Sequence, residues 1–213
     1  MGTQRLALLG PHGLGTEGVE ALATALAPAL AQGDVAAVVL RAVATDERSL
    51  TGLVKRVAPV AQAAGTALVV ACAGLAGDLA SVAARGGADG CHVDRPRDLV
   101  DLRGRLRDGR ILGVGGLETK HAAMDAGEAG VDYVMFGGLY PDGAAPDPET
   151  VLARAAWWAE IFETPCIAVA AVEAEAAALI ATGAEFIGLE SGIWMRDPQA
   201  VGRVQRALAE TSA

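Results

Sequence analysis

Short apolar runs alternate with longer amphipathic segments along the whole chain. Each run is continuously apolar and does not alternate with polar residues, which is typical of parallel strands covered on both faces. This pattern predicts eight strands. They are Arg5–Leu9, Val35–Arg41, Ala67–Cys72, Gly90–Val93, Ile111–Val114, Tyr133–Phe136, Cys166–Ala170 and Phe186–Glu190.

The segments between the runs have helical spacing and helix end signals. In "TEGVEALATALAPALAQG" we place Thr16 as the N-cap and Gly33 after the last turn. Three helix-to-strand connectors, "GGADGCHV", "AGVDYVMFG" and "TGAEFIGLE", share one plan, in which a glycine ends the helix and an acid precedes the strand. Repeated strand–helix units in 213 residues predict a single compact (β/α)₈ barrel over residues 1–213. A doubly wound open sheet is the alternative, but no G-x-G-x-x-G motif follows the first run.

Composition and charge narrow the class of partner. The chain is 52% hydrophobic with a formal net charge of -9, which argues against a nucleic-acid surface. The one basic stretch, "RPRDLVDLRGRLRDGR", is interleaved with Asp and suits a solvated helix face, with an anion-binding edge as the alternative. The sequence shows no signal-peptide pattern and no apolar segment of about 18 residues, so we expect a cytoplasmic protein with no membrane partner. Assembly into a homo-oligomer is an alternative to a monomer.

Three cysteines lie inside apolar runs and lack metal-ligand spacing. They are Cys72, Cys91 and Cys166. We expect buried free thiols in a reducing compartment.

In such a barrel the ligand site lies at the carboxyl ends of the strands. Arg41 ends the second predicted strand and should point into this mouth, with a salt bridge to Asp46 or Glu47 as the alternative. Gly137 and Gly138 follow the sixth strand, and a strand that opens through paired glycines often leads into a ligand site. We therefore predict both glycines as candidates for binding substrate or phosphate.

His92 lies inside the fourth predicted strand, Gly90–Val93. Asp94 and Asp98 follow this strand. His92 is a catalytic candidate together with Arg41, although a lone histidine in a strand is more often a buried structural residue. Asp94 and Asp98 are candidates for holding a divalent cation through carboxylate oxygens. A different barrel chemistry that uses Arg41, His92 and Asp94 is a further hypothesis.

The loops after the last two strands often bind phosphate through backbone N–H groups. Ala170 and Ala171 follow the seventh run, and Ser191 and Gly192 follow the eighth. We predict these four residues as phosphate-binding candidates. A turn capped by Ser191 and tight packing at Gly192 is the alternative.

Several segments together resemble the thiamine-phosphate synthase superfamily, which includes thiazole tautomerases. "GGADGCHV" is similar to the family's G-A-D-G-V-H-L, "ILGVGG" to its I-G-V-S, and "EAGVDYVMFGGLYP" to its A-G-A-D-Y-V-x-x-G-P-V-F-P. "IATGAEFIGLESGIW" resembles the closing A-G-A-D-G-V-A-V-x-S-A-I-F, and "VVLRAV" occupies the place of Q-L-R-x-K. The resemblance implies a (β/α)₈ barrel, a small phosphorylated ligand and Mg²⁺. It also implies a transferase that couples hydroxymethylpyrimidine diphosphate with thiazole phosphate.

The departures from these motifs fall on charged groups. Val39 and Val43 stand where the family has Gln and Lys, the family's T-x-T-K loop becomes "PDGAAPD", and its Gly-Gly-Ile cradle becomes "AAV" at 170–172. The family's third-strand Asn-Asp pair is replaced by small residues near 71–73. We therefore expect a synthase-like protein with impaired coupling activity. The alternative is a non-catalytic or repurposed paralogue that binds a small phosphorylated or heterocyclic ligand.

Overall fold

The protein is a closed barrel of eight parallel strands in sequence order, which confirms the predicted (β/α)₈ architecture. A computed structural model describes residues 4–44, 46–94, 99–140 and 144–211. The strands are β1 (Arg5–Leu9), β2 (Val35–Ala42), β3 (Ala67–Cys72), β4 (Gly90–Val93), β5 (Ile111–Val114), β6 (Tyr133–Phe136), β7 (Cys166–Ala170) and β8 (Phe186–Leu189). The ring closes through β1 and β8, where Ala7 pairs with Gly188.

Helices follow the strands and cover the outside of the barrel. They are α1 (Val19–Leu30), α2 (Glu47–Ala63), α3 (Leu79–Gly86), α4 (Leu99–Arg105), α5 (Lys120–Glu128), α6 (Pro148–Ile161), α7 (Ala176–Ile180), α8 (Ser191–Trp194) and α9 (Gln199–Thr211), with a 3₁₀ turn at Glu173–Glu175. The main apolar core lies between the strands and these helices.

The predicted start of α1 is wrong. Thr16 does not cap the helix, which follows Gly18 instead. The cause lies in the preceding loop. Leu14 exchanges backbone hydrogen bonds with β2, since its N–H binds the Arg41 carbonyl and its carbonyl accepts from the Val43 N–H. This bridge holds the loop against the strand, and a turn is needed before the helix can begin.

The repeated connector has a structural purpose at the amino end of the barrel. Asp89 accepts a 2.7 Å hydrogen bond from the N–H of Leu68 on the neighbouring strand. Asp132 accepts from the N–H of Leu112 on β5 at 2.7 Å, and Glu185 accepts from the N–H of Cys166 on β7 at 2.9 Å. These acids fix the edges of the barrel at the end opposite the predicted site.

The inside of the barrel is filled by every second residue of the strands. The inward group consists of Ala7, Leu9, Val39, Ala71, Tyr133, Met135, Ile167 and Val169. Because side chains alternate along a strand, the next inward positions toward the carboxyl end are Arg41 on β2 and Glu190 just after β8.

The three cysteines are free thiols, as expected. Cys91 and Cys166 are buried, and burial raises the pKa of each thiol to about 12. Cys72 is half-buried. Within the described residues, no helix has the length and apolar character needed to cross a bilayer.

Candidate functional site

Arg41 and Glu190 form a buried ion pair at the carboxyl end of the barrel. Arg41 Nη1 donates to Glu190 Oε1 at 2.8 Å, and Nη2 donates to Oε2 at 2.5 Å. The two side chains are 8% and 1% exposed, so the pair is almost completely removed from water. This bidentate geometry matches the guanidinium plane to the carboxylate and is the strong form of the interaction.

The rest of the Arg41 guanidinium is also occupied. Nε and Nη2 donate to the Gly10 carbonyl at 2.8 and 2.6 Å. The prediction that Arg41 enters the mouth agrees with this placement. The salt-bridge partner there is Glu190, a residue that the alternative of a bridge to Asp46 or Glu47 did not name. Those two residues act at α2, where Asp46 caps the helix and Glu47 pairs with Arg85.

The paired glycines after β6 lie around the Glu190 carboxylate. Leu139 donates its N–H to Glu190 Oε1 at 2.8 Å. Gly137 and Gly138 have φ values of +91° and +90°, a conformation that L side chains rarely adopt. A Cβ on Gly138 would stand 3.8 Å from both Arg41 Nη1 and Glu190 Oε1. The glycines therefore direct a backbone N–H toward an internal carboxylate.

A second polar group is centred on His92, which is 1% exposed. Its Nδ1 lies 2.9 Å from the Tyr133 hydroxyl, and the two rings stack with centroids 5.6 Å apart. Tyr133 can lie across the barrel because its neighbour on β5 is Gly113, where a Cβ would fall 2.0 Å from the tyrosine ring. Burial raises the pKa of Tyr133, so its hydroxyl stays protonated.

The other nitrogen of His92 has no hydrogen-bond partner among the described residues. This Nε2 atom lies 3.3 Å from Asp94 Oδ1. The His92 imidazole lowers the pKa of Asp94, and the charges of His12 and Arg41 add to this effect. Asp94 is therefore an anion at neutral pH, directly beside a buried nitrogen.

His92 and Asp94 line a cavity of about 380 Å³ between the ends of β3 and β4. Other lining residues include Cys72, Gly74 and Asp101. Gly115 permits the close approach of His92 and Asp94, since a Cβ there would lie 2.9 Å from Nε2 and 3.0 Å from Oδ1.

Within the described residues, no cluster of side chains could enclose a metal ion without ligands from water or substrate. A divalent cation needs several oxygen ligands, and in the described part of the chain no group of three or more His, Cys, Asp or Glu side chains could hold a metal. Asp94 lies at the mouth, whereas Asp98 falls outside the described residues.

The predicted phosphate-binding residues lie at the same end of the barrel, but some of their backbone groups already form hydrogen bonds within the protein. Ala171 donates its N–H to Glu175 Oε2 at 2.8 Å. The Ala170 carbonyl accepts from the N–H of Glu190 at 3.2 Å. Ser191 begins the four-residue helix α8, and Gly192 is exposed with open space around its α-carbon.

The loop before α6 contains the predicted acidic substitution for the family's Lys and Thr residues. Asp147 caps α6, because its carboxylate accepts from the Thr150 N–H at 3.0 Å. The Thr150 hydroxyl, which donates to the same carboxylate at 2.6 Å, and then the Thr150 N–H lower the pKa of Asp147. Asp142 lies outside the described residues.

Comparisons with known proteins agree with this architecture. A family model described as thiamine monophosphate synthase matches residues 14–193. A thiamine-phosphate synthase of Rhodospirillum centenum is 35% identical over 82% of this chain and 83% of its own length. One from Hyphomonas neptunium is 32% identical over 98% and 95%. The chain belongs to the thiamine monophosphate synthase family.

A solved structure supports the fold of this family member. Thiamine phosphate pyrophosphorylase from Pyrococcus furiosus aligns over 99% of this chain and 98% of its own, with a TM-score of 0.71. Its sequence identity is 15%, so this likeness concerns the barrel architecture.

Sequence reasoning missed three residues of the candidate site in this family member. They are Glu190, Tyr133 and Glu175. For Glu190 a signal was available, because it lies two residues beyond Gly188 and so shares the inward face of β8. For Tyr133, the signal was the space left by Gly113 on the neighbouring strand β5. That signal can be used only when the register between β5 and β6 is known. Glu175 acts through a turn that has no clear sequence pattern.

Proposed function

We propose that this protein is a thiamine-phosphate synthase-like member of its family in which the coupling of a pyrimidine diphosphate with a thiazole phosphate is impaired. The observation that carries the proposal is the buried pair of Arg41 with Glu190. The names of the relatives and the matched family model support the synthase-like class.

The reasoning starts from the leaving group. Diphosphate departs as a multiply charged anion, so the transition state needs positive partners that are already in place. Arg41 is the family-matched cation on β2, and its charge is matched by Glu190. Loss of one preorganised donor of this kind costs about 10²–10³ in rate.

The coupling reaction tests the proposal directly. Both precursors and Mg²⁺ would be supplied to this protein and, in parallel, to the Rhodospirillum centenum relative at equal concentration. We expect thiamine phosphate to form at least about 10³-fold more slowly with this protein. Rates within tenfold of each other would reject the impairment.

A second candidate function is a repurposed paralogue that binds a small heterocyclic ligand. It is favoured by His92 Nε2, a buried nitrogen that faces Asp94 and lacks a partner among the described residues. Binding of pyrimidine and thiazole compounds, measured by calorimetry, tests it, and no heat from any of them would reject it.

A further inference from the structure

Two internal carboxylates bind donors at the mouth that an anionic ligand would use. Glu190 accepts from both terminal nitrogens of Arg41 and from the N–H of Leu139. Glu175 accepts from the N–H of Ala171 after β7. An incoming phosphate would have to displace these carboxylates or lie beside them, and like charges at close range repel.

The cavity beside β4, in contrast, favours positive over negative charge in a ligand. Asp94 is an anion there, and Asp101 adds a second carboxylate. Arg105, the lining cation, pairs with both Asp101, at 2.8 Å, and Asp78, at 3.3 Å. The described residues that line the cavity therefore carry net negative charge.

His92 supplies the polar contact. Its Nδ1 lies against the Tyr133 hydroxyl, and the carboxylate of Asp94 beside Nε2 favours the tautomer that carries the proton on Nε2, so this nitrogen presents a donor. A buried nitrogen without a partner costs free energy, and a ligand that bonds to it recovers this cost. Nε2 and Asp94 Oδ1, 3.3 Å apart, present two adjacent contact points.

Apolar side chains also belong to this cavity. Leu75, Val93 and Leu102 line the cavity beside His92 and Asp94. Apolar groups that line a cavity suit the faces of an aromatic ring.

We propose that the mouth binds a neutral or cationic nitrogen heterocycle that carries no phosphate, held through His92 Nε2 and the carboxylate of Asp94. Glu190 acts as the selectivity residue, because its carboxylate occupies the anion position on Arg41. This inference rests on the second candidate function and names its ligand class. It differs from the phosphorylated ligand that the family resemblance implies.

Matched pairs of compounds test the selectivity by isothermal calorimetry. The pairs are thiamine with thiamine phosphate, and hydroxymethylpyrimidine with its monophosphate. We expect at least one unphosphorylated compound to bind at least about tenfold more tightly than its phosphate ester. Tighter binding of both esters, or no binding of any of the four compounds, would overturn the inference.

The variant Glu190→Gln releases the charge of Arg41 while keeping a side chain of the same shape. We expect its affinity for the phosphate esters to rise about 10- to 100-fold, as for the gain of one charge-assisted hydrogen bond. The control Glu20→Gln removes the same charge on the outer face of α1, where Glu20 pairs with Arg56. It should leave the preference unchanged. An unchanged preference in Glu190→Gln would contradict the selectivity role.

A second variant covers the case in which Glu190→Gln does not fold. Arg41→Gln with Glu190→Gln removes both charges, so we expect it to keep the preference of the wild type. A gain of ester affinity in this double variant would overturn the inference. The coupling assay reports separately on the proposed function, because a slow coupling rate together with a preference for esters rejects only the ligand class.

Discussion

The pair of Arg41 and Glu190 should behave as a unit in its effect on stability. Substituting one partner leaves the other as a buried charge without its counterion, whereas substituting both leaves no unpaired charge. The test set is Arg41→Met, Glu190→Leu and the double variant. Each replacement keeps much of the side-chain volume, so that the charges dominate the result.

The structure sets the size of the expected effect. The pair contains two charge-assisted hydrogen bonds, of 2.8 and 2.5 Å. Each is worth about 1.5–3 kcal/mol, which places the loss in either single variant at about 3–5 kcal/mol. At about 2–4 °C per kcal/mol for a chain of this size, the melting temperature should fall by about 6–20 °C. The double variant leaves no unpaired charge, but the Gly10 carbonyl and the Leu139 N–H lose their partners. Its cost should therefore be clearly smaller than the sum of the two single costs.

Urea unfolding followed by circular dichroism measures these free energies. Glu20→Gln is the control, because the exposed pair of Glu20 with Arg56 should contribute no more than about 1 kcal/mol. The reasoning is refuted if the two single costs simply add in the double variant, since independent losses would mean that the charges do not depend on one another.

Three further predictions concern the groups around His92. Gly113→Ala should destabilise the fold by about 1–3 kcal/mol in the urea assay, because its Cβ would clash with the Tyr133 ring. The control Gly52→Ala lies at an open helical position and should stabilise the fold slightly. Equal effects of the two variants would contradict this packing. Tyr133→Phe should cost about 1–3 kcal/mol by leaving His92 Nδ1 unpaired, and an unchanged ¹⁵N shift of that nitrogen would count against the contact. The pKa of Asp94 is lowered in the folded state, so its carboxylate stabilises the fold above the unfolded pKa, and this contribution disappears as pH falls through the folded pKa. Asp94→Asn should therefore reduce stability more at pH 7 than at pH 2, and an equal loss at both would contradict the assignment.

Much of the fold could be predicted from the sequence because buried parallel strands are continuously apolar. Six of the predicted strands have the observed bounds, while β2 is one residue longer and β8 one residue shorter. The extension of β2 depends on pairing of Ala42 with Cys72 and on the bridge to Leu14, both of which are tertiary contacts.

The site was less predictable because its decisive contacts cross the barrel. The position of Arg41 followed from one strand, but its partner lies 149 residues away, after β8. Only closure of the ring and the strand register bring the two together. The alternative offered by the sequence was a local salt bridge to Asp46 or Glu47, but the Glu47 carboxylate binds the N–H of Asp78 and pairs with Arg85.

The central claim is that the charge of Arg41 at the mouth is already matched by Glu190. The most direct measurement is a calorimetric titration of the wild-type protein with inorganic diphosphate, with and without Mg²⁺. The account predicts a dissociation constant weaker than about 1 mM in both conditions. A dissociation constant of about 10 μM or tighter would contradict it, because it would require a free cationic site at the end of the barrel.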